Sequence, residues 1–171
     1  MAGGMAMVYQ VGQKVVYGIH GVCSIVSVER KCIERKNICY YVLEPVDQSG
    51  SRYYLPSDHQ IALSKIRPLC TKQELHTILT EPMPQDSWIQ DENSRKQCYS
   101  KLISSIDIRP LVRMIRCLRM HRSQQMAAGK KLHLCDENFL RDAQRILFTE
   151  IALVMDIPMD QVDAYLQNIL G

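Results

Sequence analysis

The sequence predicts an α+β protein in two segments, a small β barrel followed by an all-α domain of four to five helices. Two observations predict this division. Short runs of β-branched and aromatic residues, separated by turn residues, fill the chain from Val11 to about Pro68. After Pro68 the apolar residues recur with the 3.6-residue period of a helix. The expected domains are therefore residues 7–68 and 71–171, joined by a short connection.

The strands of the first segment are expected at Val15–Tyr17, Val22–Val28, Ile38–Val46 and Arg52–Leu55. Gly18 and Gly21 separate the first two runs, and residues 47–50 (Asp-Gln-Ser-Gly) have the composition of a hairpin loop. In the second run, strict alternation predicts one shared face for Val22, Ser24, Val26 and Val28. Four or five short strands in under 60 residues favour a small, strongly bent barrel or sheet over a sandwich.

Capping and breaking residues predict the helices of the second segment. Thr71 and Glu74 form a capping box for a short helix that must end before Pro82. Gly129 is a suitable C-terminal cap for the longest helix. The remaining helices are expected to start at Ser87 or Asp91, to run from about Asp107 to Met126, to open at Cys135 or Asp136, and to run from about Met159 to Leu170 after Pro158.

The composition excludes several classes of protein. Hydrophobic residues make up 46% of the 171 residues and charged residues 23%, which is too apolar for a wholly disordered chain. No apolar run approaches the roughly 18 residues of a membrane span, and we see no secretory signal. Residues 1–6 precede a second plausible start at Met7 and are interpreted as a tail. Seven cysteines without an export signal are expected to be reduced thiols in the cytoplasm.

Motifs for enzymatic chemistry are missing from the sequence. It has no phosphate-binding glycine loop, no nucleophile elbow and no zinc-type spacing of Cys and His. His20 is either an acid/base candidate or a turn histidine bonded to its own loop. His133 and Cys135 lack further ligands at a metal-binding spacing. We therefore expect no enzyme activity, no catalytic residue, no metal, no cofactor and no small-molecule substrate.

The charges are strongly segregated along the chain. The net charge is only +3, but residues 93–131 contain ten Lys and Arg against a single acid, Asp107. One hypothesis is a solvated helix face that is balanced by acidic neighbours. The other is a surface for a polyanion, most simply nucleic acid.

Three arginines of the basic segment lie within about 60° of one another on a helix, away from its apolar stripe. We call them the arginine ridge, and they are Arg109, Arg113 and Arg116. Their planar guanidinium groups suit phosphate oxygens. Arg119 and Arg122 point closer to the apolar side, and internal ion pairs with the acidic C-terminal residues are one of two interpretations that stay open for them. Lys130 and Lys131 follow Gly129 in a loop.

Trp88 is the only tryptophan in a chain that is 6% aromatic. It follows a segment interrupted by Pro82 and Pro84, at the entrance to a helix. Two interpretations stay open: the indole packs over the helix junction, or it is an exposed anchor that stacks on a base or wedges into a duplex step.

Together these features resemble the CarD/CdnL family of bacterial RNA polymerase-binding transcription regulators. The resemblance is carried, in order along the chain, by Val11–Gly21 (VGQKVVYGIHG), Tyr40–Leu43, Leu55-Pro56, Trp88, Lys130–Leu132 and Ala143–Leu153. It implies an SH3/Tudor-like barrel that docks on the polymerase β subunit. It also implies a helical domain that contacts promoter DNA at the upstream edge of the melted region, where the tryptophan acts as a wedge.

The resemblance also implies roles for individual residues. The polymerase-binding residues would be Arg30, Lys31, Arg52 and Tyr54. Tyr54 departs from the family, in which some members have a basic residue. The DNA-binding residues would be Trp88, Arg95, Lys96, the arginine ridge (Arg109, Arg113 and Arg116), Lys130 and Lys131. The protein would be cytoplasmic and reach the nucleoid through polymerase, with no membrane contact. The alternative hypothesis is a protein-interaction adaptor with a Tudor-like barrel and no direct DNA role.

Overall fold

The structure is a computed structural model that describes residues 8–84 and 88–170. The chain divides into two compact units, one ending at Leu69 and the other starting at Cys70. The first contains a β sheet and the second is helical. The proposed N-terminal tail and the helix start considered at Ser87 lie outside the described residues.

Between residues 8 and 69, the first unit contains five strands in one antiparallel sheet. They are β1 (Lys14–Tyr17), β2 (Val22–Ile33), β3 (Lys36–Pro45), β4 (Tyr53–Pro56) and β5 (Ile66–Pro68), in the spatial order β4-β3-β2-β1-β5. A short helix, α1 (Gln60–Leu63), connects β4 and β5. No pairing joins β4 to β5 in the described residues, so the expected small barrel is present only as an open five-stranded sheet. Its core is formed by Val15, Cys23, Ile25, Tyr41, Leu43, Leu55 and Ile66.

A β-bulge in β2 overturns the strict alternation expected for this strand. Ile25 pairs with Leu43 and Ser27 pairs with Val42, so Val26 is an extra residue in the ladder. An extra residue reverses the order of inward and outward side chains beyond it. As a result Val28 packs against the core on the side of Ile25, while Val26 is exposed.

In the described part of the second unit there are five α-helices. They are α2 (Lys72–Thr80), α3 (Glu92–Ser104), α4 (Ile108–Ala127), α5 (Leu134–Met155) and α6 (Val162–Leu170), with a 3-10 turn at Met159–Gln161. The core between them includes Leu75, Leu79, Leu118, Leu140, Leu147, Ile151 and Leu166. Each helix turns its apolar face toward this core, and burial of the apolar side chains stabilises the unit.

The helix caps explain where the helices begin and end. The expected capping box of Thr71 and Glu74 is present, and Asp91 and Asp107 accept hydrogen bonds from the first turns of α3 and α4. Gly129 has φ +71° and follows α4 as expected. The expected start of α5 at Cys135 or Asp136 is wrong, because that helix begins at Leu134.

Candidate nucleic-acid interface

Trp88 is half-buried at the surface of the helical unit. Its indole stacks on the imidazole of His121 from α4, with ring centroids 3.6 Å apart and planes 16° apart. The guanidinium carbon of Arg95 lies 4.4 Å from the centroid of the indole ring. The side chain also packs against the apolar core of the helices. Trp88 therefore packs at the helix junction, as in the first interpretation of the sequence, and it also keeps part of its surface exposed, as the second interpretation requires.

Arg95 is buried, which corrects the expectation that it contacts DNA. Its residue surface is only 3% exposed, and its guanidinium donates two hydrogen bonds to the buried carboxylate of Asp136, at 2.9 and 2.8 Å. It also donates to the backbone oxygen of Ile89 at 2.8 Å. The hydrogen bonds to Asp136 raise the pKa of Arg95. This arginine therefore joins α3, α5 and the segment after Trp88, and is removed from the DNA-facing set.

His121 has an unusual electrostatic setting for a surface histidine. Partial burial lowers its pKa, and the positive charge of Arg95 lowers it further, while Asp136 acts in the opposite direction. The imidazole is consequently neutral at neutral pH. A neutral ring lying parallel to the indole is a favourable stacking partner.

The three arginines of the ridge converge on one residue, Glu81, which caps the C-terminus of α2. Arg109 Nε lies 3.0 Å from Glu81 Oε1, and one terminal guanidinium nitrogen of Arg113 lies 3.5 Å from Glu81 Oε2. Arg116 donates to the backbone oxygen of Glu81 at 2.6 Å. The arginine ridge is thus assembled, but it shares a carboxylate and a carbonyl of the protein itself.

Sequence reasoning missed Glu81, although its position carried a signal. A carboxylate at the C-terminus of a helix faces the negative end of the helix dipole and is disfavoured there. An acid at such a position points to a cationic partner. The hydrogen bond from Arg109 lowers the pKa of Glu81, so the side chain is ionised at neutral pH.

The other cations of the basic segment differ in whether acidic residues of the protein hold them in ion pairs. Arg119 pairs with Asp163 of α6 and Arg122 lies 3.8 Å from Glu137 of α5, so these two arginines pair with acidic C-terminal residues, one of the two expected outcomes. Lys96 forms a surface ion pair with Glu92 at 2.6 Å and keeps 43% of its side chain exposed. A surface pair of this kind leaves the lysine available to other anions.

Lys130 and Lys131 are exposed in the loop between α4 and α5. The left-handed conformation of Gly129 lets Lys130 N–H bond back to the oxygen of Gln125 at 2.8 Å, which fixes the loop at the end of α4. Leu132, the next residue, is buried in the core of the helices. The loop therefore presents two ammonium groups to solvent from an anchored backbone.

Two family comparisons cover most of the chain. The profile of the CarD-like/TRCF RID domain matches residues 9–69. The profile of the CarD C-terminal domain matches residues 74–167, more than half of the chain.

This chain belongs to the CarD family.

No curated protein matches it. Membership of the CarD family identifies it as a transcription-related protein. The two profiles match the sheet unit and the helical unit respectively.

The sheet unit of this CarD-family protein carries the residues for which a polymerase contact was expected. The Lys31 ammonium lies 3.6 Å from the centroid of the Tyr54 ring and 3.7 Å from Glu29 Oε2. Arg52 forms an ion pair with Glu44 at 2.6 Å. Arg30 is exposed on β2. Tyr54 therefore adds no charge of its own, and its ring instead forms a cation–π contact with Lys31.

His20 lies in a 3-10 turn, Gly18–His20, between β1 and β2. Its ring is 4.0 Å from that of Tyr53 and 4.8 Å from that of Tyr17, so it contributes to an aromatic cluster. Over residues 8–84 and 88–170, no group of three or more potential metal ligands comes together. Within the same ranges, no helix has the length and hydropathy needed to cross a bilayer.

Proposed function

We propose that this protein is a transcription regulator that binds the RNA polymerase β subunit and stabilises the promoter open complex. In this proposal, residues 7–68 form the polymerase-interacting domain and residues 71–171 contact DNA at the upstream edge of the bubble. It acts on polymerase at the nucleoid, and catalyses no reaction. CarD-like families are non-enzymatic regulators that interact with polymerase, which supports this proposal.

One observation carries the DNA half of the proposal: a single helix, α4, positions both features that suit DNA. It bears the arginine ridge, and it bears His121, on which the only tryptophan stacks. The ridge suits the phosphate backbone in a sequence-independent way. The half-exposed indole suits a base or a base step that melting has opened.

The mechanism requires only a difference in affinity. A protein that binds open promoter DNA more tightly than closed DNA shifts the equilibrium toward the open state by that difference. Stacking of one aromatic side chain on a base contributes about 1–3 kcal/mol. This corresponds to about a 5- to 150-fold change in the equilibrium constant between the open and closed complexes. Attachment to polymerase raises the local DNA concentration, so weak DNA binding by the free protein is sufficient.

The first test is copurification with the isolated β subunit. We expect the folded protein to be retained, and a folded sample that is not retained overturns the polymerase half of the proposal. The Trp88→Ala variant should keep this binding but shorten the open-complex lifetime. Trp88→Phe, which keeps an aromatic ring, should give a lifetime between those of Trp88→Ala and wild type. Equal lifetimes for wild type and Trp88→Ala would refute the role of the indole.

A second test concerns the ridge. Replacing Arg109, Arg113 and Arg116 by Ala should weaken promoter footprints of the polymerase complex. The matched control replaces three exposed cations elsewhere on the helical unit, Lys72, Lys101 and Arg141, and thus changes the net charge equally. If the ridge variant gives the wild-type footprint, the protein acts as an interaction adaptor without a direct DNA role. An equal loss in both triple variants would be a general effect of charge and would overturn the specific role of the ridge.

A further inference from the structure

The carboxylate of Glu81 contacts two of the guanidinium groups that the proposed function assigns to DNA phosphates, those of Arg109 and Arg113. A carboxylate and a phosphate both present two oxygens to a guanidinium fork, and both form charge-assisted hydrogen bonds with it. Glu81 uses its two carboxylate oxygens on two different arginines, Arg109 and Arg113. Its backbone oxygen accepts the hydrogen bond from the third, Arg116.

These contacts are at the surface and can be exchanged. The side chains of Arg109 and Arg113 are 52% and 50% exposed, and that of Glu81 is 29% exposed. Ion pairs that reach solvent are weak because water and salt screen them. A polyanion can therefore replace Glu81 without unfolding the helices, and the bond from Arg116 to the Glu81 backbone remains in place.

We propose that Glu81 is an internal competitor of DNA phosphate on the arginine ridge, and that it sets the DNA affinity of the protein. This inference rests on the proposed function, since it concerns the regulation of the same site. Without DNA, Glu81 neutralises one of the positive charges of the ridge. When DNA binds, a phosphate takes over the guanidinium groups of Arg109 and Arg113, and Glu81 turns to solvent. The carboxylate thus lowers non-specific DNA binding by the free protein.

The variant Glu81→Gln tests this directly. The amide has the same shape and can still accept a hydrogen bond from Arg109, but it carries no charge to compete with phosphate. We expect binding to a duplex of random sequence, measured by fluorescence anisotropy near 100 mM salt, to become about three- to tenfold tighter. The plot of log affinity against log salt should steepen by about one unit, as for one additional phosphate contact.

The control is Asp142→Asn, which removes one negative charge from α5 beside Arg141, away from the ridge. A general charge effect would strengthen binding equally in both variants, and this outcome overturns the proposal. Unchanged or weaker binding by Glu81→Gln, with helix content and melting temperature kept, also overturns it.

The ridge variant (Arg109, Arg113 and Arg116 to Ala) separates this inference from the proposed function. If the ridge variant binds the same duplex less tightly than wild type but Glu81→Gln does not bind more tightly, only the role of Glu81 is wrong. If the ridge variant binds like wild type, the DNA contact of the ridge is wrong and the competition by Glu81 falls with it. Tighter binding by Glu81→Gln that disappears in the ridge background supports the inference.

Discussion

The indole of Trp88 contacts two side chains that differ in charge, a neutral imidazole and a cationic guanidinium. His121 offers a neutral ring parallel to it, and Arg95 offers a cation that Asp136 neutralises. Loss of either Arg95 or Asp136 would leave an uncompensated charge in a site that is almost fully buried. The orientation of Trp88 thus depends on residues that are not themselves available to DNA.

The lowered pKa of His121 predicts a pH-dependent loss of this arrangement. Protonation places a positive charge near Arg95 and in a partly desolvated site, so the folded state binds the proton less readily than the unfolded state. His121 therefore contributes its full stability above its ordinary pKa of about 6.5, which applies to the unfolded chain. This contribution is lost as the pH falls from there through the lower pKa of His121 in the folded protein. Asp136 moderates this effect and His133 adds to it.

Fluorescence can measure this transition because Trp88 is the only tryptophan. A protonated imidazole stacked on an indole quenches its emission, so we expect the intensity to fall with a midpoint below pH 6.5. His121→Phe keeps an aromatic partner that cannot titrate and should abolish the transition. The nearby His133→Gln should preserve it. A transition that persists in His121→Phe, or a midpoint above 6.5, contradicts the argument.

At the scale of the elements, caps were predictable from the sequence and irregular strands were not. A capping box or a glycine in the left-handed region acts through residues close in sequence, and Thr71, Glu74 and Gly129 have these roles in the structure. The bulge at Val26 depends on pairing with a different strand, so the local pattern of β2 did not reveal it. Strand β5 escaped prediction because it has only three residues and ends in a proline.

The candidate site was predictable to the extent that it depends on charge and helical spacing. The spacing of Arg109, Arg113 and Arg116 predicts their common face, and they do meet at one residue. The burial of Arg95 and the stack on His121 could not be predicted, because both depend on how α3, α4 and α5 pack. Charge alone does not distinguish an arginine in a buried ion pair from one at the surface.

The hairpin between β2 and β3 contains an unusual turn. Ile33 pairs with Lys36, so the loop consists of Glu34 and Arg35 alone, and these have φ +49° and +63°. A two-residue turn with both φ values positive favours Asn-Gly, since other residues are strained in this region. Without that signal the sequence gives no indication that β2 extends to Ile33.

The turn predicts a simple route to a more stable hairpin. Replacing Glu34 and Arg35 by Asn-Gly should relieve the strain and stabilise the hairpin by about 1 kcal/mol. Amide hydrogen exchange of the residues flanking the turn should slow accordingly, and the melting temperature of the sheet unit should not fall. The control, Gln-Gln at the same positions, removes both charges without favouring positive φ. Equal exchange rates in the two variants would show that charge, and not backbone strain, determines the stability of the hairpin.

At the scale of the whole molecule, the proposed function assigns two different tasks to the two units. The sheet unit would supply attachment to polymerase, and the helical unit would supply the preference for open DNA. Attachment sets the fraction of polymerase that carries the protein at a given concentration. The preference for open DNA sets how far the bound protein shifts the equilibrium between closed and open complexes. These two quantities respond differently when the protein concentration is raised.

This difference predicts which defects an excess of protein can correct. Replacing Lys31 and Arg52 by Ala should weaken polymerase binding but leave Trp88 and the arginine ridge intact. The open-complex lifetime should therefore be short at low protein concentration and recover fully at saturation, because every polymerase then carries the protein. Trp88→Ala should instead reach saturation at the wild-type concentration but give a shorter lifetime at the plateau, because the bound protein no longer distinguishes open from closed DNA. The control replaces two exposed lysines elsewhere in the sheet unit, Lys14 and Lys65. It should match wild type both in the concentration at saturation and in the lifetime at the plateau.

If saturation does not restore the lifetime in the Lys31 and Arg52 variant, those residues act on the open complex itself, and the division of tasks between the units is wrong.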